Sequence, residues 1–395
     1  MIKEILELQQ LLLKKSKVSY KRYFYENLEM DRLTGILGAR GVGKTTFLLW
    51  YLKNSKLPFS KKLYFSADSI NIDSIFDLAK EFAKIGGELL IIDEIHKFNG
   101  FEIELKKIYD FLDLRVIFSG SSALKIDNSK ADLSRRAIIY EVEGMSFKEF
   151  LELKYSFNLP SYSLEEILAN HMDIAYELLE KFNLTLDFKE YLEFGYYPFY
   201  FDKRVLYKIK LNETINTVIE VDIPSIFNIE YQNIRNLKKL ITLVCKAAPY
   251  TPNINELLAK MNMGSDYRTL YRYMDYLHKA RIIYLLKPKT KGDNIFSKPE
   301  KIYLNNTNLY YAYCKEPQIG TVRETFFINM LKVKHQIQAS KKGDFVVDEK
   351  YIFEIGGKNK DFKQIKDIEN SFVVADDIEI GFGNKIPLWL FGFLY

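Results

Sequence analysis

The sequence predicts an α/β protein that opens on a parallel sheet and passes through helical segments into a smaller mixed domain. Three observations predict it. Short apolar runs alternate with helical patterns between Leu33 and Val142; one run leads through a glycine-rich loop into an apolar helix; another ends in two adjacent acids. Strands separated by helices pair in parallel, because a crossover of that length returns the chain to the same sheet. The runs are LTGIL, KLYFS, ELLIID and RVIFSG, short and bounded like strands buried on both faces.

At 395 residues the chain is longer than one core usually serves, which points to two or three domains. Residues 1–32 read as an amphipathic helix and a basic, tyrosine-rich connector, and 33–145 as the sheet domain. Residues 146–235 form a helical region punctuated by Pro160, Pro198 and Pro224; 236–305 hold three helices and a strand. Residues 306–395 hold a helix, strand pairs and a final apolar strand, IPLWLFGFLY. With 29 Phe and 28 Tyr, sizeable cores are available and disorder is not expected. A net charge of +5 permits an acidic partner without requiring one. The only cysteines, Cys245 and Cys314, are too few for a disulfide framework or a thiolate zinc site, and the four histidines lack ligand spacing. No apolar stretch reaches membrane-spanning length, and the N-terminus mixes acids and bases through its apolar positions. A cytoplasmic protein without a membrane partner is expected.

The glycine-rich loop carries the chemistry. Gly38, Ala39, Arg40, Gly41, Val42, Gly43, Lys44, Thr45 and Thr46 follow a strand and open a helix, the Walker A pattern in its proper context. The glycines let backbone N–H groups turn inward around phosphate oxygens, and the helix start adds its positive dipole end. Lys44 is expected on the β- and γ-phosphates and Thr45 on Mg²⁺. Asp93, ending the ELLIID strand, is expected to bind Mg²⁺ through water, and Glu94 to orient or deprotonate an attacking water. The next strand ends in Ser119, Gly120, Ser121 and Ser122, of which Ser119 or Ser121 is placed to sense the γ-phosphate; a plain Ser-Gly turn is the alternative. Arg135 and Arg136 are candidates for an arginine finger. No Asn-Lys-x-Asp guanine signature is present, so ATP with Mg²⁺ is the expected ligand.

Two further regions carry candidates. In the third helix after residue 235, Leu270, Tyr273, Met274 and Leu277 make a core-facing stripe. Arg268, Tyr271 and Arg272, beside Tyr267, make a basic and aromatic surface suited to double-stranded DNA or to a protein partner, with Lys287, Lys289 and Lys291 as added phosphate contacts. Near the C-terminus, a hairpin turning at Glu349 sets Asp344 opposite Glu354. Two carboxylates that close need a cation between them, as in a Mg²⁺ nuclease site, with Glu324 and Lys358 as helpers.

GARGVGKTT at 38–46, LLIIDEIHK at 89–97, FSGSS at 118–122, EGMSFKEF at 143–150 and FEIGGKNK at 353–360 together resemble a family of prokaryotic AAA-type ATPases. The resemblance implies a parallel-sheet P-loop NTPase domain with a helical lid, a winged-helix domain and a C-terminal α/β restriction-endonuclease-like, PD-(D/E)XK, domain. It implies the Walker roles for Lys44, Thr45, Asp93 and Glu94, and matches Asp344 and Glu354 to the nuclease acids. The nuclease motif has Lys two residues after its Glu; here that position is Gly356, and Lys358 follows across a Gly-Gly pair. The expected function is an ATP-hydrolysing switch of undetermined oligomeric state. An ATP-regulated DNA nuclease and a non-hydrolysing nucleotide-bound scaffold are the alternatives.

Overall fold

The computed structural model describes residues 1–16, 20–26, 28–121, 133, 135–227, 229–246, 251–286 and 298–395. Ser122, Lys287, Lys289 and Lys291 lie outside the described residues. The chain divides into two compact units, Met1–Gly144 and Met145–Tyr395. The N-terminal helix and connector thus belong with the sheet domain, and the three later segments share one unit.

In the first unit, α1 (Ile2–Lys15) and the short α2 (Tyr23–Glu26) precede the alternating pattern. It runs β1 (Leu33–Gly38), α3 (Lys44–Asn54), β2 (Lys62–Ser66), α4 (Ile75–Lys84), β3 (Leu89–Asp93), α5 (Phe101–Phe111), β4 (Arg115–Ser121) and β5 (Ile138–Val142). All pairings are parallel, in the order β2-β3-β4-β1-β5. The four apolar runs became β1 to β4, with β1, β2 and β3 buried at nearly every position. β5 went unread because it is an edge strand, half exposed, and lacks their continuous apolar character. The opposite edge, β2, is closed by α1: the Gln9 amide donates to Lys62 O at 3.2 Å and accepts from Tyr64 N at 2.7 Å. This satisfies two backbone groups that an edge would otherwise leave open.

The second unit begins with α6 (Phe147–Tyr155), α7 (Leu164–Leu179) and α8 (Leu184–Glu190). Ser146 and Ser163 open the first two with reciprocal capping boxes, through Glu149 and Glu166. After α9 (Tyr207–Thr217) and α10 (Ile223–Phe227) come α11 (Tyr231–Lys246), α12 (Ile254–Met261) and α13 (Tyr267–Lys279). An antiparallel hairpin of β6 (Ile283–Leu286) and β7 (Lys301–Leu304) follows. On α13 the stripe Leu270, Tyr273, Met274 and Leu277 is buried. Next, α14 (Thr307–Tyr313) and α15 (Ile319–Leu331) lead to β8 (Ile337–Ala339), β9 (Phe345–Val347), β10 (Tyr351–Gly356), β11 (Ser371–Ala375) and β12 (Lys385–Pro387). Their order is β12-β11-β10-β9-β8, parallel from β10 to β12 and antiparallel from β10 to β8.

One bond was not foreseen, and one expectation is corrected. Cys245, in the last turn of α11, and Cys314, just past α14, form a disulfide with Cα atoms 5.4 Å apart. The tail IPLWLFGFLY is buried but strand only to Pro387; Leu388–Phe393 coil into 3₁₀ turns. Gly392 is needed there, because a Cβ would come within 2.4 Å of the Phe147 Cβ.

Candidate functional site

Strand order builds the site in the first unit. The strand order turns back at β1: the chain crosses from β1 to the edge at β2, returns through β3 and β4, and adds β5 on the other side of β1. Ligands of open α/β sheets bind beyond the carboxyl ends of strands at such a switch point. Because β4 lies between β1 and β3, the end of β4 separates the glycine loop from the two acids.

The loop itself is shaped by close approach and by positive φ. A Cβ on Gly38 would meet the Val142 carbonyl oxygen at 2.6 Å, so the first glycine lets β1 end tightly against β5. Gly41 and Gly43 have φ of 88° and 98°. The first backbone bond of α3 runs from Phe47 N to Gly43 O, so the N–H groups of Lys44, Thr45 and Thr46 precede the helix ladder. Lys44 is buried and donates to Gly38 O at 3.0 Å and Ala39 O at 3.1 Å. Arg40, Thr45 and Thr46 are exposed, while Ala39 and Val42 are buried.

Asp93, 2% exposed, is the hub. Its Oδ2 accepts from the Thr45 hydroxyl at 2.7 Å and the Tyr64 hydroxyl at 2.9 Å. Its Oδ1 accepts from the Ser119 hydroxyl and from Glu94 N at 3.1 Å. Four donors fix the carboxylate in place. Burial, then the charge of Asp93, pushes the Tyr64 pKa far above its ordinary value, so Tyr64 stays a donor. Glu94 adopts left-handed backbone, φ 51° and ψ 41°, costing about 1–2 kcal/mol. Its N–H also donates to Ser119 Oγ at 3.1 Å. His96 lies beside it, with Nε2 3.4 Å from Glu94 Oε2 and Nδ1 3.4 Å from Ser121 N.

One clamp was invisible in the sequence. Arg22, from the connector, is 4% exposed and donates to Val42 O at 2.8 Å, Gly144 O at 2.7 Å and Glu143 O at 3.1 Å. A single guanidinium thus ties the phosphate loop to the chain leaving β5. Tyr64 was missed as well; its only signal was a hydroxyl inside the apolar run KLYFS, beside the strand that carries the acids.

The structure does not bring Arg135 and Arg136 to the loop of their own chain. They precede β5, whose first residue lies beside Thr34 at the amino edge of the sheet, about 13 Å from the loop along β1. There Arg136 forks onto Asp110 at 2.8 and 3.1 Å, and Arg135 is exposed.

In the second unit, Arg268 and Arg272 are exposed and Tyr271 is partly buried, beside a cleft lined by Leu258, Asn262, Tyr267 and Tyr271. The register Phe353↔Phe345 sets Glu354 opposite Asp344, as the hairpin reading expected. The ammonium on Glu354 is not that of Lys358, which is exposed, but of Lys360. Among the described residues, no group of three or more His, Cys, Asp or Glu side chains is placed to hold a metal ion.

Residues 30–151 match the AAA domain family, and residues 185–318 match a domain of unknown function, DUF8612. Two uncharacterized proteins of Methanocaldococcus jannaschii are similar along most of the chain. MJ1637 is 26% identical over 97% of this chain and 91% of its own length; MJ1544 is 24% identical over 89% and 78%. Among solved structures, AMPPCP-bound DnaA from Aquifex aeolicus aligns over 71% of this chain and 89% of its own, at 18% identity and a TM-score of 0.25. The family match spans the residues that hold the loop and the parallel sheet, and it supports an AAA-type P-loop reading of that span. No helix of the described residues is long and apolar enough to cross a membrane.

Proposed function

We propose that this protein hydrolyses ATP with Mg²⁺ and uses the cycle as a switch. The hub at Asp93 carries the reading: one carboxylate joins the loop hydroxyl, the end of β4 and the backbone of Glu94. The donors suit the ligand. A hydroxyl and a carboxylate are hard oxygen ligands, and Mg²⁺ prefers a few of these plus phosphate oxygens and water to an all-protein cage. Thr45 and Asp93 would hold the ion, which would supply charge neutralisation to the phosphates. Lys44 would exchange the Gly38 and Ala39 carbonyls for phosphate oxygens. Glu94 would take or orient the proton of the attacking water, with His96 steadying its carboxylate. Ser119 bonds both Asp93 and Glu94 N, so a shift of the end of β4 reaches both acids.

Arg135 and Arg136 serve as fingers only toward a neighbouring chain, since their place at the amino edge keeps them from their own loop. The exposed Arg268 and Arg272 of α13, with Tyr271, are the proposed output surface, taking the phosphates of duplex DNA.

Phosphate release from ATP and Mg²⁺ tests this, with wild-type, Lys44→Ala and Glu94→Gln proteins, with and without duplex DNA. The expected result is turnover abolished by Lys44→Ala, cut at least about 100-fold by Glu94→Gln with nucleotide binding retained, and raised by DNA. Equal turnover in wild type and Glu94→Gln would refute the catalytic assignment. Tight binding without turnover in the wild type would leave a scaffold.

A further inference from the structure

Three carboxylates meet where the C-terminal sheet faces α15. Glu324 projects from α15, Asp344 precedes β9 and Glu354 sits in β10; Glu324 is 6% exposed and Glu354 1%. Two of these acids are buried and both feel the charge of Asp344, so something positive must stand among them. Two side chains do. Lys301, the first residue of β7, places Nζ 3.0 Å from Glu324 Oε2 and 3.3 Å from Asp344 Oδ1, bridging two of the three acids. Lys360 pairs with Glu354. Tyr303, two residues along β7 on the same face, donates to the Glu324 oxygen that Lys301 uses. Asp344 Oδ2 accepts from Ile355 N at 2.8 Å, and the Gln364 amide, with its nitrogen toward Glu354, donates at 3.1 and 3.2 Å.

We infer that Lys301 and Lys360 are the resident cations of this cluster, standing where a metal-dependent nuclease would hold its divalent ion, and that the cluster fastens the β6–β7 hairpin to the C-terminal sheet. Geometry carries this. An ion bound to Glu324 and Asp344 at ordinary metal–oxygen distances, about 2.1 Å for Mg²⁺, would fall on the Lys301 ammonium. Gly356, where the nuclease motif has its lysine, leaves the space that Lys360 uses: a Cβ there would lie 2.6 Å from the Lys360 Cγ. Lys360, four residues past Gly356, pairs with Glu354 directly. Electrostatics agree. Burial, then Asp344, raises the Glu324 pKa against the pull of Lys301. Burial would lower the Lys301 pKa, but Glu324 and Asp344 outweigh it and the value is raised, so the ammonium stays charged. The same strand that supplies Lys301 and Tyr303 pairs with β6, so the ion pairs hold the whole hairpin.

The test uses the full chain without nucleotide. Mn²⁺ binding followed by electron paramagnetic resonance is expected to be unchanged by Glu354→Gln, and Mg²⁺- or Mn²⁺-dependent cleavage of plasmid DNA to be absent. In a thermal double-mutant cycle, Lys301→Met and Glu324→Gln should each lower the midpoint, and the double variant should lose less than their sum. If Lys301→Met fails to fold, Lys301→Arg, which keeps the charge, should fold and leave Mn²⁺ binding unchanged. One Mn²⁺ per chain that Glu354→Gln removes, metal-dependent cleavage that Glu354→Gln abolishes, or strict additivity in the cycle would each overturn the inference.

Discussion

Breaking the Cys245–Cys314 bond should destabilise the second unit and leave the first nearly untouched. The two residues are 69 apart in sequence, so the bond closes a long loop and removes much conformational freedom from the unfolded chain. The loop-entropy relation gives about 15 cal/mol/K, or about 4 kcal/mol at 25 °C. The unit spans about 250 residues, for which unfolding entropy near its midpoint is about 0.5 kcal/mol/K. Reduction should therefore lower that midpoint by about 8 °C. Differential scanning calorimetry with and without a phosphine reductant measures it, and a Cys245→Ser/Cys314→Ser protein should repeat the shift and be blind to reductant. Alkylation followed by mass measurement fixes the starting state: no label before reduction and two after. Two labels on the untreated native protein, or a midpoint that moves less than about 2 °C once both thiols are shown free, would refute the reasoning.

Tyr64→Phe removes one donor from Asp93 and should weaken Mg²⁺ dependence about 10-fold with little change in nucleotide affinity, read from turnover against Mg²⁺ concentration. Arg22→Met leaves three carbonyls, two of them in buried bonds, without their shared donor; it should cost about 3 kcal/mol and lower the midpoint of the first unit, with nucleotide affinity falling alongside, as calorimetry and nucleotide titration would report. Glu104 accepts from Phe76 N at 2.9 Å and Ser74 Oγ at 2.8 Å and pairs with Lys107. Burial would raise its pKa, but these partners outweigh it and the value lies below 4.5. Its contribution is thus complete above that ordinary value and lost as pH falls through the lower folded one. Glu104→Gln should cost about 1.5 kcal/mol at pH 7, and denaturant curves of variant and wild type should converge in acid.

Most of the first unit's architecture could be read in advance because buried parallel strands have nowhere to hide their composition. LTGIL, KLYFS, LLIID and RVIFS are apolar runs flanked by helical periods, and the loop between the first run and its helix is a motif with few other uses. The hairpin at Glu349 was readable for a different reason: once its centre is fixed, a period of two dictates that Asp344 faces Glu354. What escaped depended on distance in space rather than in sequence. Arg22 looked like one more charge in KVSYKRYFY, since nothing local says that Val42 and Gly144 converge on it. Lys358 was the lysine named and Lys360 was not considered, because the path of a chain leaving Gly356-Gly357 is not fixed by its residues. The disulfide joins two cysteines whose approach is set by the packing of α11 and α14. The tail IPLWLFGFLY is apolar on every side, so no periodicity separated strand from helical turn; Pro387 and the crowding at Gly392 decided it.

The Arg22 clamp has a consequence for anyone who would cut or recombine this protein. A fragment drawn around the recognisable motif, from Leu33 to the end of β5, would carry every residue of the phosphate loop and both acids. It would still discard the one guanidinium that holds the loop's Val42 carbonyl and the exit of β5 in register. It would also strip Gln9 from β2 and uncover the sheet on that side. The portable module therefore starts at the N-terminal helix, and chimaeras that join a foreign leader directly to β1 should emerge as sticky, nucleotide-blind proteins even though their motif is whole.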